Sequence, residues 1–424
     1  MSEYGTGNII PSHTPLDGKG AEKREEEKRI MLSLWLFVAA SVLLACILLK
    51  GVSGRLGVPV ILVFILLGLL MGSNPIFRIP LEDYDLTEAV CSTALIFIMF
   101  YGGFGTNWKR TRPMVVSAGL LATAGMVCTA LLTGLFCHFV MDLSFPESML
   151  LGAVMSSTDS TCVFSIFKAF RLRLKYNTDS LLELESGSND PFACVLTIAL
   201  LAVINGTARG GQLALLLLQQ VGIGTIFGFL VAKAALWCLR RLRFSDNYDT
   251  IFIFSTALLA YAAAAVLGGN GYLSVYIAGI LLGNQELKCR EDVDRFFDAL
   301  TGMMQILVFF LLGLLAVPGE LVKLAVPALL TALFLTFVVR PLVVNLFLLP
   351  FRCPLGQKLL VSWSGLRGAS SIVFAIMATI DPAVIRYDVF HFSFCIVLFS
   401  ISVQGTLLPL VARRLDMLET EDVG

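Results

Sequence analysis

"SWSGLRGASS", Ser362–Ser371, breaks an apolar run that extends over about residues 359–380. Gly365 and Gly368 flank Arg367 there. Glycine frees the backbone and favours unwinding, and a charge in so apolar a run is costly unless something answers it. A second stretch of this kind, "SSTDST", Ser156–Thr161, breaks the run 148–167. Its side chains compete for the backbone's hydrogen bonds and weaken a helix at that point.

The composition around these breaks belongs to a membrane protein. Hydrophobic residues make up 57% of the 424, charged residues 15%, and the mean hydropathy is +0.84. Soluble domains carry about 25% charged residues. The formal net charge is zero, which offers no basic field for nucleic acid. The ten cysteines form no CxxC and sit mostly in apolar stretches, as small hydrophobes do.

Apolar segments can be drawn at 31–49, 58–72, 86–104, 114–140, 148–167, 181–204, 213–238, 250–267, 272–284, 301–317, 321–350, 359–380 and 389–412. The expectation is an all-α integral membrane protein of about 13 transmembrane helices. The second and ninth are short for a span, so twelve stays open, and the eleventh needs tilt. If segments one to six and eight to thirteen are two repeats, the broken fifth matches the broken twelfth. Seven spans separate them, so their topologies are opposite. Two interrupted segments at equivalent places in inverted halves are the best sequence pointer to a transporter's midplane site.

Basic residues give an orientation. With the N-terminus outside, the inside loops carry Lys50 and Arg55; Lys109, Arg110 and Arg112; Lys168, Arg171, Arg173 and Lys175; Arg240, Arg241 and Arg243; Lys288, Arg290 and Arg295; Arg352 and Lys358; and Arg413 and Arg414. The outside loops carry Arg78, Arg209, Lys323 and Arg386. This places the C-terminus in the cytoplasm, as for a multi-pass protein of a bacterial inner membrane. The polar tail 1–30, with its run "KREEEKR", opposes the alternation. Lys233 can snorkel, whereas Arg340 and Arg367 lie deeper and need a partner or a role.

Acids recur in "LLELESGSNDPFACVL", Leu181–Leu196. On a helix Ser186, Asn189 and Asp190 share a face. Pro191 loosens the turn and biases Asp190 away from helical geometry. Oxygens of Ser186, Asp190 and Asp159, with a freed carbonyl near Thr158, make a pocket suited to a hard cation. No sulfur or imidazole set competes for a transition metal. His138 and His391 lie at segment edges and satisfy local hydrogen bonds. Glu183 faces the cytoplasmic funnel or solvent, Arg340 is a structural counter-charge, and Gly224 and Gly228 mark close helix packing.

The stretches "SSTDSTCVFS", "LESGSNDPFA", "GGNGYLSVYIAGILLGN", "RPLVV" and "GLRGASSIVFA" resemble, in order and spacing, the monovalent cation:proton antiporters. The resemblance is to the NhaP-like branch of the sodium/hydrogen exchanger family, nearest its cell-volume-regulation potassium:proton antiporters, and covers about residues 31–414. It implies inverted repeats with two broken, crossing helices and a homodimer. Residues 31–104 and 213–317 would form the dimer and scaffold side, and 114–204 and 321–414 the moving, ion-transporting core. It implies ion and proton binding at Asp159 and Asp190, completed by Ser186 and the Thr158 carbonyl. Asn189 would brace the crossing, and Glu185 would pair with Arg367. Ser160 departs from the family, where Pro or Ala is frequent. Many relatives continue into a cytosolic regulatory domain. Here a short tail, 415–424, follows the last segment, and regulation through such a domain is set aside.

The function expected is secondary antiport, not enzymatic catalysis, and without a cofactor. K+ or Na+, with Li+ also admissible, would compete with H+ for the two carboxylates. The resemblance implies electroneutral exchange for an Asn-Asp pair such as Asn189–Asp190. A cation channel is the first alternative, though no selectivity-filter signature is present. A non-transporting scaffold or receptor is the second.

Overall fold

The computed structural model describes Ser33, Phe37 and residues 40–49, 59–73, 83–169, 173–241, 248–287, 289–381 and 387–419. The N-terminal tail lies outside the described residues, as do Lys50, Arg55, Arg78, Arg171, Arg243, Lys288 and Arg386. The described chain is helical, with an isolated antiparallel bridge between Leu174 and Leu418. Its cysteines are all unpaired.

The first helix, α1 (Ala40–Leu49), belongs to a separate unit ending at Leu49. The second unit holds the rest. Its helices are α2 (Val60–Ser73), α3 (Tyr84–Gly105), α4 (Trp108–Met141), α5 (Phe145–Val154), α6 (Ser160–Ala169) and α7 (Thr178–Ile204). There follow α8 (Gly211–Arg241), α9 (Tyr248–Val266), α10 (Gly271–Gly283), α11 (Arg290–Leu315) and α12 (Pro318–Phe351). The last are α13 (Leu355–Trp363), α14 (Ala369–Ile380) and α15 (Val389–Arg414). Among the described residues, eight helices are long and apolar enough to cross a membrane, and five shorter apolar ones accompany them. The protein is a multi-pass membrane protein.

Small residues bring the helix backbones together, as they must where lipid provides no hydrophobic drive between helices. On the pair α2 and α11, Gly72 faces Leu314, and a Cβ on Gly72 would meet that residue's backbone. On α8, a Cβ on Gly224 would lie 2.7 Å from the Asn270 carbonyl, and one on Gly228 2.7 Å from that of Ser274. The GxxxG of α8 is a packing face against α10, as its sequence suggests. Its other faces show Leu215, Leu218, Ile226, Phe229 and Trp237 to the outside.

The histidines serve helix ends. His138 Nδ1 lies 2.6 Å from the Leu143 carbonyl. His391 Nδ1 lies 2.6 Å from Asp388 Oδ2, and its Nε2 accepts from the Val317 N–H at 3.0 Å. That N–H is one of the unsatisfied donors at the start of α12.

At the Arg/Lys-rich end the chain's last described residues clasp the approach to α7. Lys175 N–H donates to the Met417 carbonyl at 2.8 Å, and Glu419 N–H to that of Arg173 at 3.0 Å. Lys175 Nζ also lies 3.0 Å from Asp416 Oδ2.

Candidate ion site at a helix crossing

Both polar stretches unwind as their sequences imply. Residues 155–159 separate α5 from α6, and 364–368 separate α13 from α14. The two extended pieces bond to each other: the Asp159 N–H donates to the Leu366 carbonyl at 2.8 Å. Gly368 permits this approach, since a Cβ there would run into the Asp159 carboxylate.

Four half-helix ends converge here, each with a charge of the favourable sign. Arg367 Nη1 donates to the carbonyls of Ser156 at 2.9 Å and Ser157 at 2.5 Å, beyond the C-terminus of α5. Arg340 Nη2 donates to the Val361 carbonyl at 3.3 Å, in the last turn of α13. Asp159 caps the N-terminus of α6, its Oδ1 accepting from the Cys162 N–H at 3.2 Å. Asp190 lies against the first turn of α14, accepting from Ser370 Oγ at 2.9 Å.

Asp190 also accepts from Ser157 Oγ, which lies 2.8 Å from Ser370 Oγ. Thr158 and Ser186 meet through their hydroxyls at 3.0 Å. Asn189 Nδ2 donates to Thr158 Oγ1 at 2.6 Å, tying α7 to the unwound piece. Asp159 and Asp190 line one pocket with Cys162, Ser370 and Gln305. Thr158 and Ser186 stand beside the acids but do not line that pocket. Ser157, Ser370, Cys162 and Gln305 were not singled out by sequence reasoning. The first two lie inside the quoted polar stretches, where a run of hydroxyls gives no register. Gln305 comes from α11 and carries no motif.

Two sequence expectations are corrected. Glu185 pairs with Arg340, not Arg367: Arg340 Nη1 is 2.7 Å from Glu185 Oε1 and Nη2 3.4 Å from Oε2, with both side chains buried. Arg340 follows a widened π-helical turn, Leu335–Val339, just before Pro341. The turn rotates α12 enough to aim that arginine inward, while the carbonyls of the α5 break occupy Arg367. Asp190 also remains helical, because α7 runs unbroken through Pro191. Pro191 removes one hydrogen bond. Asn270 Nδ2, at the start of α10, donates to the Pro191 carbonyl at 3.2 Å and helps hold the helix in place.

Chemically, the pocket offers two carboxylates, the Ser370 hydroxyl and the Gln305 amide in a wall that is otherwise mostly apolar. Hard cations prefer such ligands. Among the described residues no His/Cys/Asp/Glu group has the form of a metal centre. The named charges at the crossing are three acids, Asp159, Asp190 and Glu185, against two guanidinium groups, Arg340 and Arg367.

The transmembrane sodium/hydrogen exchanger family matches residues 39–414. The chain belongs to that family. This exchanger-family chain is 35% identical over 394 residues to the K+/H+ antiporter NhaP of Alkalimonas amylolytica, covering 93% of this chain and 69% of the relative. It is 34% identical over 387 residues to the K+/H+ antiporter NhaP2 of a Shewanella species, covering 90% and 67%. With Na+/H+ antiporter 1 of Methanocaldococcus jannaschii it shares 26% over 349 residues, 79% of this chain and 80% of that one. The solved structure of the sodium proton antiporter MjNhaP1 from the same archaeon has the same fold. Its TM-score is 0.77 over 88% of this chain and 99% of that chain, at 24% identity. The family is one of transporters, not enzymes, and these similarities support neither the channel nor the scaffold alternative.

Proposed function

We propose that this protein exchanges K+ or Na+ for H+ across a membrane, one for one, at Asp159 and Asp190. One observation carries the reading: two buried carboxylates share one pocket where two broken helices cross. The activities for which its relatives are named, K+/H+ and Na+/H+ antiport, point the same way.

The charge count supplies the mechanism. With both aspartates ionised, the three acids outnumber the two arginines by one. A bound monovalent cation or a bound proton restores balance, so either makes the site neutral enough to cross. Among these five groups the empty site keeps a net negative charge, which is expensive to carry through low dielectric. Cation and proton therefore exclude each other. Ser186, Thr158 and Asn189 hold the unwound piece against α7, and Arg340 and Glu185 brace α13 on the same helix. We further infer that α4–α7 and α12–α15 move as the transporting core against a scaffold contributed by α2, α3 and α8–α11. The outward apolar face of α8 fits a homodimer in a cell membrane, with the basic loops and the C-terminus in the cytoplasm.

The deciding experiment uses the purified protein in liposomes with an imposed pH gradient. Addition of K+ or Na+ should collapse the gradient, and the half-saturating cation concentration should rise as the pH falls. Current without a proton gradient, or no cation-dependent proton movement, would overturn antiport.

A further inference from the structure

The pocket that holds Asp159 and Asp190 has two walls of different origin. One comes from the crossing and the helices beside it, and carries both carboxylates and the Ser370 hydroxyl. The other comes from Ile61 of α2, Leu95 and Ile98 of α3, and Gln305 and Phe309 of α11. Gln305 is the polar member of that second wall. It stands midway along α11, and from Gly302 to Leu315 no other side chain carries a hydrogen-bonding oxygen or nitrogen.

A second observation concerns its partners. Among the described residues, the Gln305 amide forms no hydrogen bond. Glutamines inside membrane bundles ordinarily hydrogen-bond across helices, and a polar group kept from water without a partner is costly. Phe309, four residues on and on the same face of α11, is buried and lines the same pocket. The face of α11 turned to the pocket thus presents one amide, and no protein atom answers it.

We propose that the Gln305 side-chain oxygen is a ligand of the transported cation, supplied from the scaffold wall of the pocket, and that it biases the site toward K+. The inference deepens the antiport reading and rests on it. Carboxylate oxygens exert a strong field and favour the smaller ion. A neutral carbonyl oxygen exerts a weaker one and suits the larger, less tightly hydrated ion. The amide brings its oxygen without a charge, so the one-for-one count at the crossing is unchanged. With a proton in place of the cation, the same amide can turn and donate an N–H to a carboxylate. Because α11 belongs to the scaffold, the contact lasts only while the core stands beside it. Movement of the core parts the aspartates from the amide and loosens the cation.

The test measures exchange by the purified protein in liposomes at one alkaline pH, with K+ and Na+ separately as probes. Gln305→Met keeps the length of the side chain and removes its oxygen. It should raise the half-saturating K+ concentration about fivefold, the worth of one such contact, and the Na+ value by less. Gln305→Glu keeps both the length and the oxygen but strengthens the field. It should leave the K+ value near that of the wild type or below it, and should lower the Na+ value. Gln305→Leu carries the first comparison if Gln305→Met does not reach the membrane. Half-saturation unchanged in the variants without the oxygen overturns the ligand. So does an equal rise in Gln305→Met and Gln305→Glu, which would mark a packing role. If the wild-type protein exchanges neither cation for protons, the antiport reading fails instead.

Discussion

Glu185 is held by Arg340 at 2.7 Å, while Arg367 turns its guanidinium to the carbonyls of Ser156 and Ser157. The two buried arginines thus have separate duties. Arg340 ties α12 to α7 and α13. Arg367 closes the open end of α5.

A double-mutant cycle separates them. Arg340→Met or Glu185→Gln alone leaves a buried charge without its partner and should cost about 3–5 kcal/mol. The double variant should lose clearly less than the sum. Arg367→Met combined with Glu185→Gln should come closer to additive, with a residue of long-range attraction only. Thermal unfolding in detergent measures all of these. Stronger coupling of Glu185 to Arg367 than to Arg340 would contradict the assigned pair.

Asp190→Asn keeps an oxygen for Ser157 and Ser370 while removing the charge. The variant should fold, with a stability change of about 1 kcal/mol or less, and exchange should disappear. Normal exchange by well-folded Asp190→Asn would remove Asp190 from the site.

Gly368→Ala tests the crossing itself. Its Cβ would collide with the Asp159 carboxylate, and overpacking of this sort costs about 1–3 kcal/mol. Exchange should fall with stability. Gly302→Ala is the control, since a Cβ there meets nothing within 4 Å. It should be neutral or stabilising by up to about 1 kcal/mol. Melting curves and liposome exchange read both variants.

One-for-one exchange predicts indifference to voltage. Each net charge moved would be driven by about 2.3 kcal/mol per 100 mV. The reversal pH in liposomes should therefore stay put at several imposed potentials. A reversal point that moves with voltage would mean that Asp159 carries a second proton.

Much of this was legible in the chain. The breaks at Ser156–Thr161 and Ser362–Ser371 could be read because hydroxyls and glycines stand out against apolar sequence. The i, i+3, i+4 spacing brought Ser186, Asn189 and Asp190 to one face of α7. Arginine pairing was not legible in the same way. Arg340 and Arg367 are both deep cations, and the choice between them depends on a π-helical turn that leaves no clear mark in "LTFVV". Pro191 misled for a related reason: its local bias is real, but packing around α7 and the Asn270 side chain outweigh it. Gln305 reaches its place only through the meeting of distant helices.

The clasp between residues 416–419 and 173–175 has a practical consequence. It fastens the far end of the chain to the root of the helix that bears Asp190. Asp416 is 92% exposed at its side chain, so a spin label or fluorophore there would ride with α7 from outside the bundle. Paired with a second label on α8, it would act as a ruler for the working stroke without disturbing any residue at the crossing.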